Sequence, residues 1–539
     1  MLTPTARKLF RRLPSFHDED SVGGENGMAL TDRSRAILRK SVPAATFLFF
    51  FVVFAGAILT LHLPYLRLPY FWDEMGQFVP AALDIERDGA WVPHSAAPNV
   101  HPPGVMAYLA LVWRVAGCSI LTTRLAMLLI ASLGLFFVFL LGIELSRPQQ
   151  AIPALLVPAL LLVSPLFYTQ AMLAQLDMPA MALSALALLL FLRQRYLAAA
   201  CASTLLVLVR ETGIVAAGVF LLWLVIRERR LREAFYFLAP FVALGVWLFI
   251  LKRATGHWLG NPEFASYNLA YSLNPARAGS ALVRRFYYIF VAEFRWVGTL
   301  WIAFAWGKSR LFATPQWALL GLFAAAHVLL FSLFGGATLD RYLLPLLALF
   351  YIAVVAAGSL LPPLWRRAST GLLVIGLVAG LIWDFPPSPF VYSLEDDLAM
   401  TDFVHVQQEA ASFLEKHRAK LSVASVWPFT QALSDPVFGY VHRPIPSMEM
   451  PDFHVANVAA IDPGKVDILV VYARPWDLPW TAIRWAPLMA IQKKYYDYEP
   501  EISAAEIQER LGFVRVARWQ RRHQWIEVYA GPGRNFTEE

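Results

Sequence analysis

Eleven apolar segments between residues 44 and 384 are long enough, or nearly so, to cross about 30 Å of hydrocarbon at 1.5 Å per residue. They fall at 44–63, 121–143, 151–168, 178–193, 196–210, 212–226, 234–251, 286–306, 315–334, 342–361 and 370–384. A chain built this way must satisfy its backbone polar groups within the bilayer, so the expected fold is an all-α polytopic membrane protein of about eleven transmembrane helices. The 58% hydrophobic and 16% charged composition excludes an ordinary soluble domain. Trp72, Trp91, Trp113, Trp258 and Trp296 flank apolar runs, as interfacial anchors do. The net charge of +7 comes with Arg clusters between apolar segments, which is topology rather than nucleic-acid binding, since no basic and aromatic ladder accompanies it. Cys118 and Cys201 supply neither a disulfide framework nor a CxxC metal cluster.

Residues 1–43 hold eight Lys or Arg among polar residues, too long a polar leader for a signal peptide and without a cleavage site after Leu63. They are expected to form a disordered cytoplasmic tail before an uncleaved first helix. Segment 104–117 is apolar but has fourteen residues and carries Arg114, so it is expected to be re-entrant or to lie on the surface. Excluding it places Arg147, Arg193, Arg195, the 227–232 cluster, Lys308, Arg310, Arg366 and Arg367 on the cytoplasmic side. The long loop 64–120, the loop 252–285, the turn Gly335 to Arg341 and everything beyond Asp384 then lie outside. Residues 44–385 form the membrane domain. Residues 386–539 have the pattern of a small extracytoplasmic α/β domain, with a helix at 402–420, strands at 421–427 and 466–471, a helix at 504–511 and strands at 513–519 and 524–529. The expected location is a bacterial inner membrane, with the N-terminus cytoplasmic. No internal repeat of the inverted-repeat transporter kind is present.

Polar positions gather at the outer ends of these segments. Asp73 and Glu74 follow the first one and precede His101-Pro102-Pro103-Gly104, Asp177 enters the fourth, Arg210-Glu211 joins the fifth to the sixth, and Asp340-Arg341-Tyr342 enters the tenth. Ionisable groups at membrane depth are costly and usually functional. Here they would put carboxylates and guanidinium groups around one outward-facing site.

The set Asp73-Glu74, His101-Pro102-Pro103-Gly104, Ser164-Pro165, Arg210-Glu211-Thr212-Gly213 and Arg341-Tyr342 with Pro345 resembles the C-type glycosyltransferase superfamily. The nearest branch is that of protein O-mannosyltransferases and the lipid A aminoarabinose transferase. The resemblance spans about residues 44–385. It implies transfer of a monosaccharide from a polyprenyl-phosphate donor to an acceptor hydroxyl at the outer face, usually with inversion. Nucleotide sugars are cytosolic, so such a donor has to arrive through the bilayer.

On that resemblance Asp73 is the base, against the bland reading of a helix cap, and Glu74 orients an acceptor or a metal, or is a solvated loop acid. Arg210 and Arg341 would hold the phosphate through the bidentate guanidinium fork, with Tyr342 beside them. The bland reading pairs Arg210 with Glu211 and Arg341 with Asp340. Asp177 would bind donor hydroxyls or a divalent ion, or cap its helix, and His101 would bind donor or acceptor, or shape a turn. Lys252, Arg253 and His257 would hold a diphosphate or lipid head group, or simply belong to a surface loop, which is the reading preferred. Glu293 and Arg295 are expected to pair with other helices or to lie near the outer end of their span. No cofactor is required, and a divalent cation is compatible with the set. The acceptor is a protein, a lipid sugar or a glycan. A flippase of lipid-linked sugars and a scaffold protein are the competing classes; transport would place its charges near the midplane.

Overall fold

The computed structural model describes residues 44–146, 154–335, 337–388, 390, 394–416, 421–474, 485–496 and 498–533. The expected tail 1–43, Arg147, the start of the third apolar segment and residues 417–420 lie outside them. The membrane domain runs through α1 (Ala44–His62), α2 (Val79–Asp88), α3 (Gly104–Ala116), α4 (Ile120–Glu144), α5 (Leu156–Val163), α6 (Pro165–Gln170), α7 (Asp177–Leu192), α8 (Tyr196–Val209) and α9 (Ile214–Leu222). It continues through α10 (Leu231–Tyr236), α11 (Ala239–Thr255), α12 (Pro262–Ala265), α13 (Pro275–Phe290), α14 (Arg295–Lys308), α15 (Pro315–Leu333), α16 (Leu344–Gly358) and α17 (Pro363–Trp383).

Each expected apolar segment contains helix, but six helices among the described residues are by themselves long and apolar enough to cross a bilayer. The segments expected at 178–193 and 196–210 are helices of 16 and 14 residues, and that at 151–168 breaks at Ser164. The span expected at 286–306 is not one rod. It belongs to α13 and α14, which meet at 86°. At the break Glu293 and Phe294 have φ of 52° and 61°, and the buried Arg295 donates from Nε to the Tyr288 carbonyl at 2.8 Å while ion-pairing with Glu293. A charged pair in an apolar run is accommodated by opening the helix around it. Glu293 and Arg295 pair with each other, and Arg295 also bonds neighbouring helices, through the Tyr288 carbonyl of α13 and the Tyr351 side chain of α16. The span containing α16 is the centre of the bundle, with 89% of its apolar window buried, whereas α1 at 17% faces outward.

The α3 helix has thirteen residues, about 20 Å of rise against about 30 Å of hydrocarbon. It packs on α2, whose C-terminal carbonyls at Ile85 and Glu86 accept from Arg114 at 3.2 Å. Gly104 starts α3 because a Cβ there would meet the Leu208 carbonyl oxygen at 2.5 Å. This contact seats the Pro102-Pro103-Gly104 turn against the end of α8, two residues before Arg210. Gly104→Ala is expected to cost about 1–3 kcal/mol through backbone displacement, seen as a lower melting temperature; an unchanged melting temperature would show that the turn is free to move.

Beyond the bundle come α18 (Ala399–Lys416), β1 (Val423–Val426), α19 (Phe429–Ser434), β2 (Ser447–Met450), α20 (Val455–Ala459), β3 (Ile468–Tyr472), α21 (Ala486–Tyr495), α22 (Ala504–Leu511), β4 (Val514–Arg521) and β5 (Gln524–Ala530). They form a five-stranded mixed sheet of order β2-β1-β3-β5-β4. β1 is parallel to β2 and β3, and β5 is antiparallel to β3 and β4. The α/β domain expected there is present, with β2 as an additional edge strand. It docks directly on the loop 64–120: the Tyr70 N–H donates to the Phe438 carbonyl at 3.1 Å, the Tyr440 hydroxyl donates to the Tyr70 carbonyl at 2.9 Å, and Trp427 meets Trp72 edge-on with ring centroids 4.9 Å apart.

Candidate active site

Trp72, half-buried between the loop and the docked domain, adopts φ of 49°. A bulky residue in the left-handed region stores about 1–3 kcal/mol and persists where its surroundings over-determine it. The turn sends Asp73 and Glu74 in opposite directions. Asp73 ion-pairs with Nη2 of Arg341. Its other oxygen lies 3.4 Å from Nε2 of Gln77, whose Oε1 accepts from Asn99 at 3.1 Å, and Asn99 in turn accepts from the His101 N–H at 3.0 Å.

Glu74 points inward and is fully buried. Arg124 reaches its two oxygens at 2.5 and 3.1 Å, and the Phe71 and Ala174 N–H groups donate at 2.8 and 2.6 Å. Every approach to this carboxylate is filled by protein, so the catalytic part expected of Glu74 gives way to a structural one. It ties the loop 64–120 to α4 and to the segment before α7. Glu74→Ala would strand Arg124 and is expected to cost about 3–5 kcal/mol, read as a fall in melting temperature with turnover per folded molecule retained. Normal stability with lost turnover would restore a catalytic part.

Arg341 is the hub of the cluster. Besides Asp73, its Nη1 donates to both oxygens of Glu395 at 2.7 and 2.8 Å and to Oε1 of Gln175 at 2.9 Å, and its Nε lies 3.2 Å from Oδ2 of Asp177. The other Asp177 oxygen ion-pairs with Nη1 of Arg210. Tyr342 supplies a platform, its ring centroid 4.3 Å from the Arg210 guanidinium carbon, and is stacked on Phe331 at 4.9 Å. The bland pairings do not form: Glu211 binds His101 Nδ1 at 2.8 Å, and Asp340 binds Arg284 at 2.7 Å. His101 therefore reaches the cluster indirectly, through the Gln77–Asn99 chain and through Glu211, which follows Arg210. Each Asp177 oxygen faces a guanidinium group. Among the described residues, the group with metal-ligand spacing is Asp84, Asp88 and His94, none of which joins the cluster. Lys252, Arg253 and His257 sit at the exposed end of α11, also outside it.

Glu395, Gln175, Arg124 and Arg284 are missing from the candidates that the sequence alone supplies. Glu395 had a signal, the acidic run Glu395-Asp396-Asp397 directly behind the last apolar segment. Burial pushes its carboxyl up to about 7, against the pull of Arg341.

Two cavities meet this cluster's surroundings. One of about 850 Å³ lies between bundle and soluble domain, with Trp72, Asp73, Arg284, Glu395 and Tyr495 on its wall. The other, of about 900 Å³, is apolar and lined by Leu282, Phe286, Ile289, Trp306, Trp317 and Leu349 among others. α13 walls both, offering Arg284 to the first and Phe286 to the second.

Neither a protein-family model nor a curated protein sequence matches the chain. Its fold does have solved counterparts. ArnT from Cupriavidus metallidurans bound to undecaprenyl phosphate is similar with a TM-score of 0.53 and 15% identity, over 88% of this chain and 97% of that one. The archaeal oligosaccharyltransferase AglB from Archaeoglobus fulgidus, in complex with an inhibitory peptide and a dolichol-phosphate, has a TM-score of 0.45 and 12% identity, over 79% and 69%. The ArnT likeness, nearly end to end, shows that the chain shares the fold of that structure.

Proposed function

We propose that this chain is a membrane glycosyltransferase that moves a monosaccharide from a polyprenyl-phosphate donor to an acceptor hydroxyl at the outer face of the membrane, with inversion. The observation that carries the reading is the ion pair of Asp73 with Arg341, Asp73 standing with Arg284 and Glu395 on the wall of a cavity whose wall helix, α13, also lines a large apolar one. A donor with a charged phosphosugar head and a prenyl tail matches that division. The solved ArnT structure holds undecaprenyl phosphate, which supports a lipid carrier here.

In this reading the acceptor hydroxyl enters the cavity beside Asp73. Its oxygen attacks the anomeric carbon, the proton passes to the Asp73 carboxylate, and the sugar–phosphate bond breaks with its electron pair going to the phosphate oxygen. Arg341 and Arg210 neutralise the departing phosphate, and Asp177 and Tyr342 hold the two guanidinium groups in register. Attack from the face opposite the phosphate gives inversion. The two guanidinium groups supply the positive charge at the leaving group, and each step is written through side chains of this chain.

The test is a reconstituted transfer assay with prenyl-phosphate sugars labelled in the sugar. Label is expected to leave the lipid and appear on a hydroxyl acceptor. Label that crosses the bilayer still attached to its lipid would mean transport instead, and label that stays in place would reject both.

A further inference from the structure

The charges around Arg341 do not balance. Two guanidinium groups, Arg210 and Arg341, contact three carboxylates, Asp73, Asp177 and Glu395. With all three acids ionised, this contact set of Arg341 and Arg210 carries one negative charge in excess, Arg285 beside Arg210 being the next cation, and a phosphodiester on Arg341 would add a second negative charge to the set. A buried site cannot accept that without expelling an anion, admitting a cation or taking up a proton. Geometry identifies the group that has to change. Glu395 presents both oxygens to one guanidinium nitrogen, the way a phosphate oxygen pair would, and it lines the polar cavity as Asp73 does. It also comes from the short turn Leu394–Asp396 that starts the soluble domain, so it is delivered from outside the helix bundle.

We propose that Glu395 is a resident anion standing in for the donor phosphate on Arg341, and that it yields this place on donor binding with uptake of one proton. The inference rests on the lipid-phosphate reading above. The surroundings of Glu395 favour it as the proton acceptor. Facing it are Arg341, Asp73 and Asp177 as charged groups and Gln175 as the neutral donor to its Oε2 at 2.9 Å. From α6, Thr169 donates to the Glu395 backbone carbonyl and Gln170 is uncharged. On its own turn Asp396 is also buried, with Asp340 and Arg284 beside it. From α18, Asp402 is ion-paired with Arg522. Burial holds the Glu395 carboxyl near neutrality, so a modest change in its field moves the proton. Once protonated, Glu395 keeps its bond from Gln175 and releases the Arg341 nitrogen.

The experiment measures binding without turnover, using full-length protein in nanodiscs and farnesyl methyl phosphate, a diester whose single charge is fixed. Because a proton enters with the ligand, affinity falls as pH rises, and the expected loss approaches about tenfold per pH unit once free Glu395 is ionised. Calorimetry of the wild type in buffers of different ionisation enthalpy should report uptake of about one proton per ligand on the alkaline side of neutrality. Glu395→Gln should bind more tightly than wild type at alkaline pH, with a flat pH profile. Wild-type binding with no proton uptake would overturn the proposal even if the variant failed to fold. So would a Gln variant that binds more weakly, as a merely structural bond would predict. Absence of diester binding by wild type at every pH would instead remove the lipid-donor reading itself, and this inference with it.

Discussion

Replacing Asp73 by Asn lowers sugar transfer by about 10²–10⁴-fold, the range expected for loss of a general base, while donor binding survives. The Asn amide oxygen can still accept from Arg341 Nη2, and Arg341 keeps Glu395, Gln175 and Asp177 as partners. The phosphate seat thus remains while the proton acceptor is gone. Measured on reconstituted protein with a labelled prenyl-phosphate sugar, the loss should fall on kcat and leave the donor Kd within a few-fold of wild type. Equal transfer by both proteins would reject Asp73 as base and leave it as an orienting partner of Arg341.

Arg341→Ala is expected to have a larger and broader effect, because it removes the one group that contacts three carboxylates. Asp73 and Glu395 lose their guanidinium partner and Asp177 keeps only Arg210. Breaking a single buried pair costs about 3–5 kcal/mol, so the variant should show a deep fall in melting temperature. On whatever fraction folds, donor affinity should drop by about 10–100-fold, the equivalent of one charge-assisted hydrogen bond lost, with acceptor affinity much less affected. Arg341→Lys separates the two effects. It restores charge and part of the stability, but one ammonium cannot serve three directions at fixed angles, so donor binding should stay weak. Unchanged donor affinity in the folded Lys variant would count against a phosphate contact.

Much of this cluster was legible in the sequence because ionisable residues at the ends of apolar segments have few structural reasons to be there. Asp73, Asp177, Arg210 and Arg341 stand out on that ground and do converge. Their pairing was not legible. Adjacent residues suggested Arg210 with Glu211 and Arg341 with Asp340, whereas neighbours in sequence on a turn diverge in space, and the actual partners lie 33 to 268 residues away. Glu74 misled for the same reason, since one residue past Asp73 the chain has turned into the protein. Glu395 was hidden by the domain boundary, because a residue assigned to a soluble module carries no sign that it returns to the bundle. The α13–α14 bend was signalled by Glu293 and Arg295 inside an apolar run, but hydropathy averaging favoured one continuous span. β2, four residues with a mostly exposed pattern, had too short a period to register.

The most direct test of the central claim is a structure of the full-length protein with undecaprenyl phosphate. The phosphate is expected within hydrogen-bonding distance of Arg341, on the Asp73 side of the polar cavity, with the prenyl chain passing α13 into the apolar cavity lined by Phe286 and Ile289. A phosphate seated at the opposite end of the bundle, or one separated from Asp73 by the width of a helix, would contradict it.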